Sequence, residues 1–276
     1  MPRDTRIRGD GHLTLLRYLR LYGHFVRFSV SRTLEFRLDF FFRVFMDLAY
    51  YGVNIAFYQV VFLHTELLGG WNRDQTLVFM AGFLVVDAIV MTLFSNNIWW
   101  LPIFINRGDL DYYLLRPVSS LFFLSLRDFA ANSFLNLVFA LGILTWALGR
   151  IAVPFAAGDM ALFACLLCLG AFLHYMVHIL MILPVFWTHQ GGALHTIFYS
   201  FQRFMERPDR IFSGWVRKAL VTVVPFSVMA SFPARILIEG MDWATLGHFL
   251  AVICAFFALL LFVWGRGLRA YSSASS

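Results

Sequence analysis

Long apolar stretches, and the arginines that punctuate them, constrain this chain more than any other feature. A helix needs about 20 apolar residues to cross a hydrocarbon core of roughly 30 Å. Five segments meet that requirement, approximately Phe40–Leu63, Thr76–Ile98, Phe129–Leu148, Met160–Leu183 and Thr245–Trp264. A sixth, approximately Ala219–Ile238, is weaker because Pro225, Pro233 and Arg235 interrupt or end it. Hydrophobic residues make up 60% of the 276 residues and charged residues 14%, whereas a soluble domain sits nearer half and a quarter. The pattern predicts an all-α membrane protein with six transmembrane helices, at about 40–63, 76–98, 119–148 (most apolar from Phe129), 160–183, 219–238 and 245–264. They form a single transmembrane domain over 13–276, and the short loops leave no room for a second globular domain.

The arginines assign the sides. Lys218 is the one lysine. Arg3, Arg6, Arg8, Arg17, Arg20, Arg27, Arg32 and Arg37 precede the first span, and Arg107 and Arg116 follow the second. Arg203, Arg207, Arg210, Arg217 and Lys218 precede the expected fifth span, and Arg266 and Arg269 follow the last. The intervening loops hold only Arg73 and Arg150, with Arg235 near a span end. Basic residues cluster on the cytoplasmic side, so both termini are expected in the cytoplasm. The net charge of +6 is then a topology signal, and no nucleic-acid partner is expected. Residues 1–12 are polar and read as a disordered cytoplasmic tail, not a cleavable signal peptide. Over 13–33, Arg17, Arg20, His24, Arg27 and Ser31 recur at helical spacing, with Leu16, Leu19, Phe25, Val26 and Val30 on the other faces. That pattern predicts an N-terminal amphipathic helix in the membrane interface. Arg17, Arg20 and Arg27 would hold it to lipid, as a simple anchor or as a surface for a cytoplasmic partner.

Polar residues at membrane depth are few and patterned. Arg43, Asp47, Tyr50, Asn54 and Tyr58 run along one face of the first span, Asp87 stands in the second, and Asp128, Asn132 and Asn136 recur every four residues in the third. Intramembrane ionisable groups are costly and face a bundle interior or a wet cavity. Asp47, Asn54, Asp87, Asp128, Asn132 and Asn136 are therefore candidates for a polar path, while helix–helix hydrogen bonding is the better account of the Asn132 and Asn136 stripe. His174 and His178 lie one helical turn apart, without a third metal ligand in the sequence. Cys165, Cys168 and Cys254 fall inside spans, where packing explains them better than redox chemistry.

Several chemistries lack their residues. A phosphate-binding loop needs Gly-Lys followed by Ser or Thr, but Lys218 lies between Arg217 and Ala219. No His-Glu-x-x-His or Gly-x-Ser-x-Gly motif is present. Between the second and third spans, Ile105-Asn106-Arg107-Gly108-Asp109-Leu110-Asp111-Tyr112-Tyr113-Leu114-Leu115-Arg116-Pro117 resembles the signature loop of a bacterial ABC-2 type permease subfamily. Arg207-Pro208, Val224-Pro225-Phe226 and Phe232-Pro233-Ala234 are weaker points of likeness. The resemblance implies the membrane half of an ATP-driven exporter in the bacterial inner membrane. It implies a second permease subunit, identical or related, and a separate ABC ATPase that carries ATP and Mg, with no cofactor on this chain. It also implies an ATPase-coupling loop comprising Arg107, Gly108, Leu110, Asp111, Leu114, Arg116 and Pro117. The residues alone leave open an ion-coupled secondary transporter or channel using Asp87, Asp47 or Asp128, and an intramembrane enzyme built on the histidines.

Overall fold

A computed structural model describes residues 11–33, 37–151 and 155–271. The tail expected over 1–12 lies outside them, apart from the backbone of residues 11 and 12. The described residues are helical almost throughout. They begin with α1 (Gly11–Thr33) and α2 (Arg37–Val61). A capping box then starts α3 (Arg73–Val90): the Asn72 side chain accepts from the Gln75 N–H at 2.9 Å, and the Gln75 side chain accepts from the Asn72 N–H at 3.0 Å. α3 continues through a π-helical turn, Met91–Ser95, into α4 (Asn96–Arg107). Gly108 ends α4 at φ 81°, a left-handed conformation that glycine adopts without steric cost. Two short helices follow, α5 (Leu110–Leu114) and α6 (Ser120–Leu126), then α7 (Ala131–Leu148) and α8 (Ala157–Ile182). The rest comprises α9 (Val185–Thr188), α10 (Gly191–Gln202), α11 (Gly214–Lys218) with a π-helical extension Ala219–Val223, α12 (Val228–Glu239) and α13 (Trp243–Ala270).

The bundle is organised around α3. It touches α2, α7, α8 and α12, and every residue from Thr76 to Ala88 is buried. α8 is the second interior helix, packed on α3, α10, α12 and α13. By contrast, α2, α7 and α13 keep broad apolar faces exposed, through Phe41, Phe45 and Met46, Phe134 and Val138, and Leu261 and Phe262. Such faces suit lipid or another apolar surface. Close packing relies on small residues, as is general for helices in membranes. A Cβ at Gly170 of α8 would overlap the Met229 carbonyl of α12, and one at Gly191 would overlap the Pro102 ring of α4.

Among the described residues, five helical stretches are long and apolar enough to cross a membrane, or six if one bent pair counts as a single span. That pair covers the segment expected as a span over 219–238, interrupted at Pro225. Gly214–Val223 and Val228–Glu239 meet at 99°, where Pro225 has no N–H to continue the ladder. The turn between them is buried deep in the bundle. Phe226 packs 5.7 Å from the Phe198 ring, and the Ser227 hydroxyl donates to the Phe204 carbonyl at 3.4 Å.

The basic stretch 203–218 also departs from expectation. α10 runs antiparallel to α4 and α3. It starts at Pro102, where Gly191 sits, and reaches the level of Asp87, to which Gln202 donates at 3.0 Å. The chain then continues to the Gly69–Gly70 turn, where Arg210 lies against Gly69. Arg210 grips Glu239 through both guanidinium nitrogens, at 2.6 and 2.7 Å, and Trp71 donates to the same carboxylate at 2.8 Å. This end is opposite the one that carries Arg107 and Arg116. Arg210 and Arg217 sit there because acidic partners neutralise them, which a count of basic residues does not register.

Two predictions concern this packing. Gly170→Leu is expected to destabilise the bundle by about 1–3 kcal/mol, since it drives a side chain into the α12 backbone, whereas Gly158→Ala, which meets open space, is neutral. Thermal unfolding in detergent distinguishes them. The second concerns Asp242, which caps α13 by accepting from the Thr245 hydroxyl at 2.5 Å and the Ala244 N–H at 3.0 Å. The Thr245 hydrogen bond first, then the Ala244 amide, lower its pKa. Its contribution is therefore complete above the unfolded carboxyl pKa of about 3.9 and disappears as pH falls through the lower folded value. Asp242→Asn should flatten acid destabilisation in that window.

Candidate functional site

Two regions gather the polar chemistry of the molecule. The first is a cavity of about 440 Å³ between α2, α3, α7 and α10. Asp47, Tyr50 and Tyr51 enter it from α2, Asp87 and Met91 from α3 and its π-helical turn, and Asn136 from α7. Tyr199 and Gln202 of α10, with Arg203 and Glu206 just beyond it, complete the wall. The helical period of α2 explains why Asp47, Tyr50 and Tyr51 point the same way. Asp87 reaches the cavity as the one ionisable residue on the buried length of α3. The π-helical turn that follows is a common feature of functional sites in helices.

Hydrogen bonds tie the walls together. Asn136 donates to Asp47 across α7 and α2. Gln202 donates to Asp87, and the Tyr50 hydroxyl donates to Glu206 at 3.0 Å. The Asn136 side-chain oxygen is buried without a partner among the described residues. Of the six residues expected along a polar path, the structure thus joins Asp47, Asp87 and Asn136. Asn54 turns back on its own helix and donates to the Tyr50 carbonyl at 3.0 Å. Asn132 bonds Ser133. The Asp128 backbone pairs with the Asn97 side chain, accepting at 2.8 Å and donating at 3.0 Å, which fixes the chain between α6 and α7 against α4. The pattern reading missed Tyr51, Tyr199, Gln202, Arg203 and Glu206. The last four lie in the segment before the expected fifth span, whose basic residues put it on the cytoplasmic side.

The second region is the loop at 107–117. Leu110 is fully buried, and Tyr113 packs 5.5 Å from the rings of both Phe104 and Phe123. Arg127 lies 4.4 Å over the Phe104 ring and donates to the Tyr113 hydroxyl. These contacts pin α5 to α4 and α6. The other face is free: Tyr112 is 60% and Leu115 86% exposed, beside exposed Arg107, Arg116 and Pro117. Of the other residues expected in the coupling loop, Leu110 is buried, Leu114 is exposed and Asp111 is half-buried. Tyr271, just past α13, lies beside Asp111; burial and then that carboxylate raise its pKa. α1 docks on the same end. Its Tyr18 hydroxyl accepts from the Ser119 N–H at 3.0 Å, Phe25 packs 5.0 Å from Phe123, and Ser29 accepts from the Phe129 N–H at 3.1 Å. Arg17, Arg20 and Arg27 face outward together with Leu16, Leu19 and Phe28.

The family model described as ABC-2 family transporter protein matches residues 48–275. The chain belongs to the ABC-2 transporter family. No curated protein and no solved structure matches the chain. ABC-2 permeases are membrane components of transporters that work with an ABC ATPase, and are not themselves catalytic. The histidine and cysteine candidates lie elsewhere in the bundle. His174, His178 and His195 converge, with His178 and His195 ring centroids 5.8 Å apart and His178 stacked on Phe198 at 3.6 Å. Their nitrogens are buried, and among the described residues no group of three or more His, Cys, Asp or Glu is placed to hold a metal. Cys165, Cys168 and Cys254 are free thiols exposed on helix surfaces, not packed in the core as expected.

One prediction separates the polar contacts by burial. Asp209 is fully buried and accepts from Arg217 and Arg235, each at 2.7 Å. Asp209→Ala strands the nearly buried Arg235 without its carboxylate and is expected to cost about 3–5 kcal/mol. Asp87→Leu leaves only Gln202 unpaired and should cost about 1–3 kcal/mol, while Asp87→Asn preserves a hydrogen-bonding group and stays near the parent. Denaturation of the purified variants at matched lipid content ranks the three.

Proposed function

We propose that this chain is the permease subunit of an ATP-driven exporter of the bacterial inner membrane, working with a separate ABC ATPase and a second permease subunit. The observation that carries the reading is the 107–117 loop. Leu110 and Tyr113 fasten its helix to α4 and α6, and Tyr112, Leu115 and Arg116 project outward. A projecting element fixed to two long helices is suited to receive a push from a soluble partner and tilt those helices. The family match over residues 48–275 supports an ATPase as that partner. ATP and Mg belong on it, since this chain lacks a phosphate-binding lysine motif.

In the proposed topology both termini and the 107–117 loop are cytoplasmic. The fifth crossing is α10 with the residues after it, about 189–208. The bent pair α11–α12 enters from the outside and returns to the outside. This assignment keeps six crossings and places the ion-paired cluster of Arg210, Arg217, Arg235, Asp209 and Glu239 outside. It leaves the exposed arginines of α1, the 107–117 loop and the end of α13 inside. α1 then lies in the inner interface, with Leu16, Leu19 and Phe28 toward the acyl chains.

The purified subunit is expected to hydrolyse no ATP alone, and to support transport-linked hydrolysis with its partner in proteoliposomes. Arg107→Glu and Leu115→Asp should lower that stimulated rate several-fold without reducing membrane insertion. Stimulation at the parent level in both variants would remove the loop from coupling. Replacing Arg17, Arg20 and Arg27 with Glu is expected to lower membrane-assembled complex, since each arginine near an anionic surface contributes about 1 kcal/mol. Unchanged complex yield in the triple variant argues against the interfacial role.

A further inference from the structure

We propose that the cavity between α2, α3, α7 and α10 is a cargo site for an organic cation with a flat aromatic or otherwise apolar body. This inference rests on the permease reading and adds the class of molecule carried. Three features point to it. First, the wall holds three carboxylates, Asp47, Asp87 and Glu206, against one lining guanidinium, Arg203; Arg43 acts on Asp47 from farther along α2. In a low-dielectric surrounding, that excess favours a positive guest. Second, the cavity offers more acceptors than donors. Gln202 and Asn136 each spend an amide N–H on Asp87 and Asp47, and Tyr50 spends its hydroxyl on Glu206. The Asn136 oxygen, in a residue only 3% exposed, has no donor among the described residues. A buried acceptor in that state costs free energy until a donor arrives, and an ammonium N–H supplies one. Third, Tyr50, Tyr51 and Tyr199 present aromatic surface around the same space. Aromatic faces attract cations and stack on flat rings. A volume of about 440 Å³ lies within the usual range for small-molecule sites.

The geometry also separates this class from its nearest rivals. An anion meets three carboxylates and one arginine. A neutral polyol satisfies the acceptors but gains nothing from the charge excess.

The test is a titration of the full chain in phosphatidylcholine nanodiscs with acridine orange, a planar cationic dye, read by fluorescence polarisation against empty nanodiscs. Pyrene tetrasulfonate, a planar anion, is the control probe. Saturable binding of the cation and none of the anion is expected. Asp47→Asn with Asp87→Asn should weaken the cation by at least about tenfold, and Asp74→Asn, on the surface with Arg150, should leave it unchanged. Arg203→Gln removes the one lining cation and should tighten binding by about threefold or more. A variant that merely damages the fold cannot tighten it. No saturable cation binding, equal binding of the anion, an unaffected double variant, or weaker binding in Arg203→Gln each overturns the proposal. The permease reading is judged separately by the ATPase assay. Partner-stimulated hydrolysis without dye binding removes the cation site and keeps the permease; dye binding without any associating ATPase does the reverse.

Discussion

Backbone that departs from regular helix can sit at membrane depth only where protein covers its polar groups, and the architecture follows from that constraint. The turn at Val224–Ser227 breaks the ladder at Pro225, and the residues after it find cover between α3, α8 and α13. Phe226 is fully buried, Ser227 donates to the Phe204 carbonyl, and α12 returns along α8 so closely that only glycine fits at position 170. α3 and α8 are buried because they provide this cover. α2, α7 and α13 need only apolar exteriors, and have them.

Electrostatics divides the two ends of the molecule differently from a simple count of arginines. At the end near the Gly69–Gly70 turn, Arg150 pairs with Asp74, Arg210 with Glu239, and Arg217 and Arg235 with Asp209. At the other end, Arg116 and Arg127 lie over the rings of Tyr112 and Phe104, at 4.5 and 4.4 Å, and Arg17, Arg20 and Arg107 are exposed. The arginines at the first end are ion-paired, whereas those at the second lie over aromatic rings or face solvent.

The sequence made the helical class, the apolar spans of α2, α3, α7, α8 and α13, and the family legible, because each is written in local runs of 18 or more residues or a contiguous motif. It did not reveal α10 as part of the bundle. That helix has 12 residues, begins at two glycines and leads into three arginines, so hydropathy marked no crossing there and charge put it on the cytoplasmic side. Half of the cavity was hidden for the same reason. Asp47, Asp87 and Asn136 stood out as polar residues in apolar runs. Gln202 and Glu206 carry no such contrast, and their partners Asp87 and Tyr50 lie 115 and 156 positions away. The bend at Pro225 was visible as a proline, but its size depends on tertiary packing that no local pattern encodes.

The π-helical turn at Met91–Ser95 has a mechanical consequence. α3 is clamped on all sides, whereas α4 beyond the turn bears the exposed 107–117 loop. Under the proposed coupling, a force on that loop would pass along α4 to the turn, where the regular hydrogen-bond ladder is interrupted. The Ala130 N–H is held by the Thr92 carbonyl there, at 3.0 Å, and Met91 faces the cavity. Under the same coupling, strain applied at the rim would be released beside Asp87. A displacement at the surface would then become a change in the width of the chamber, much as flexing a stem at its one soft joint opens the jaw above it.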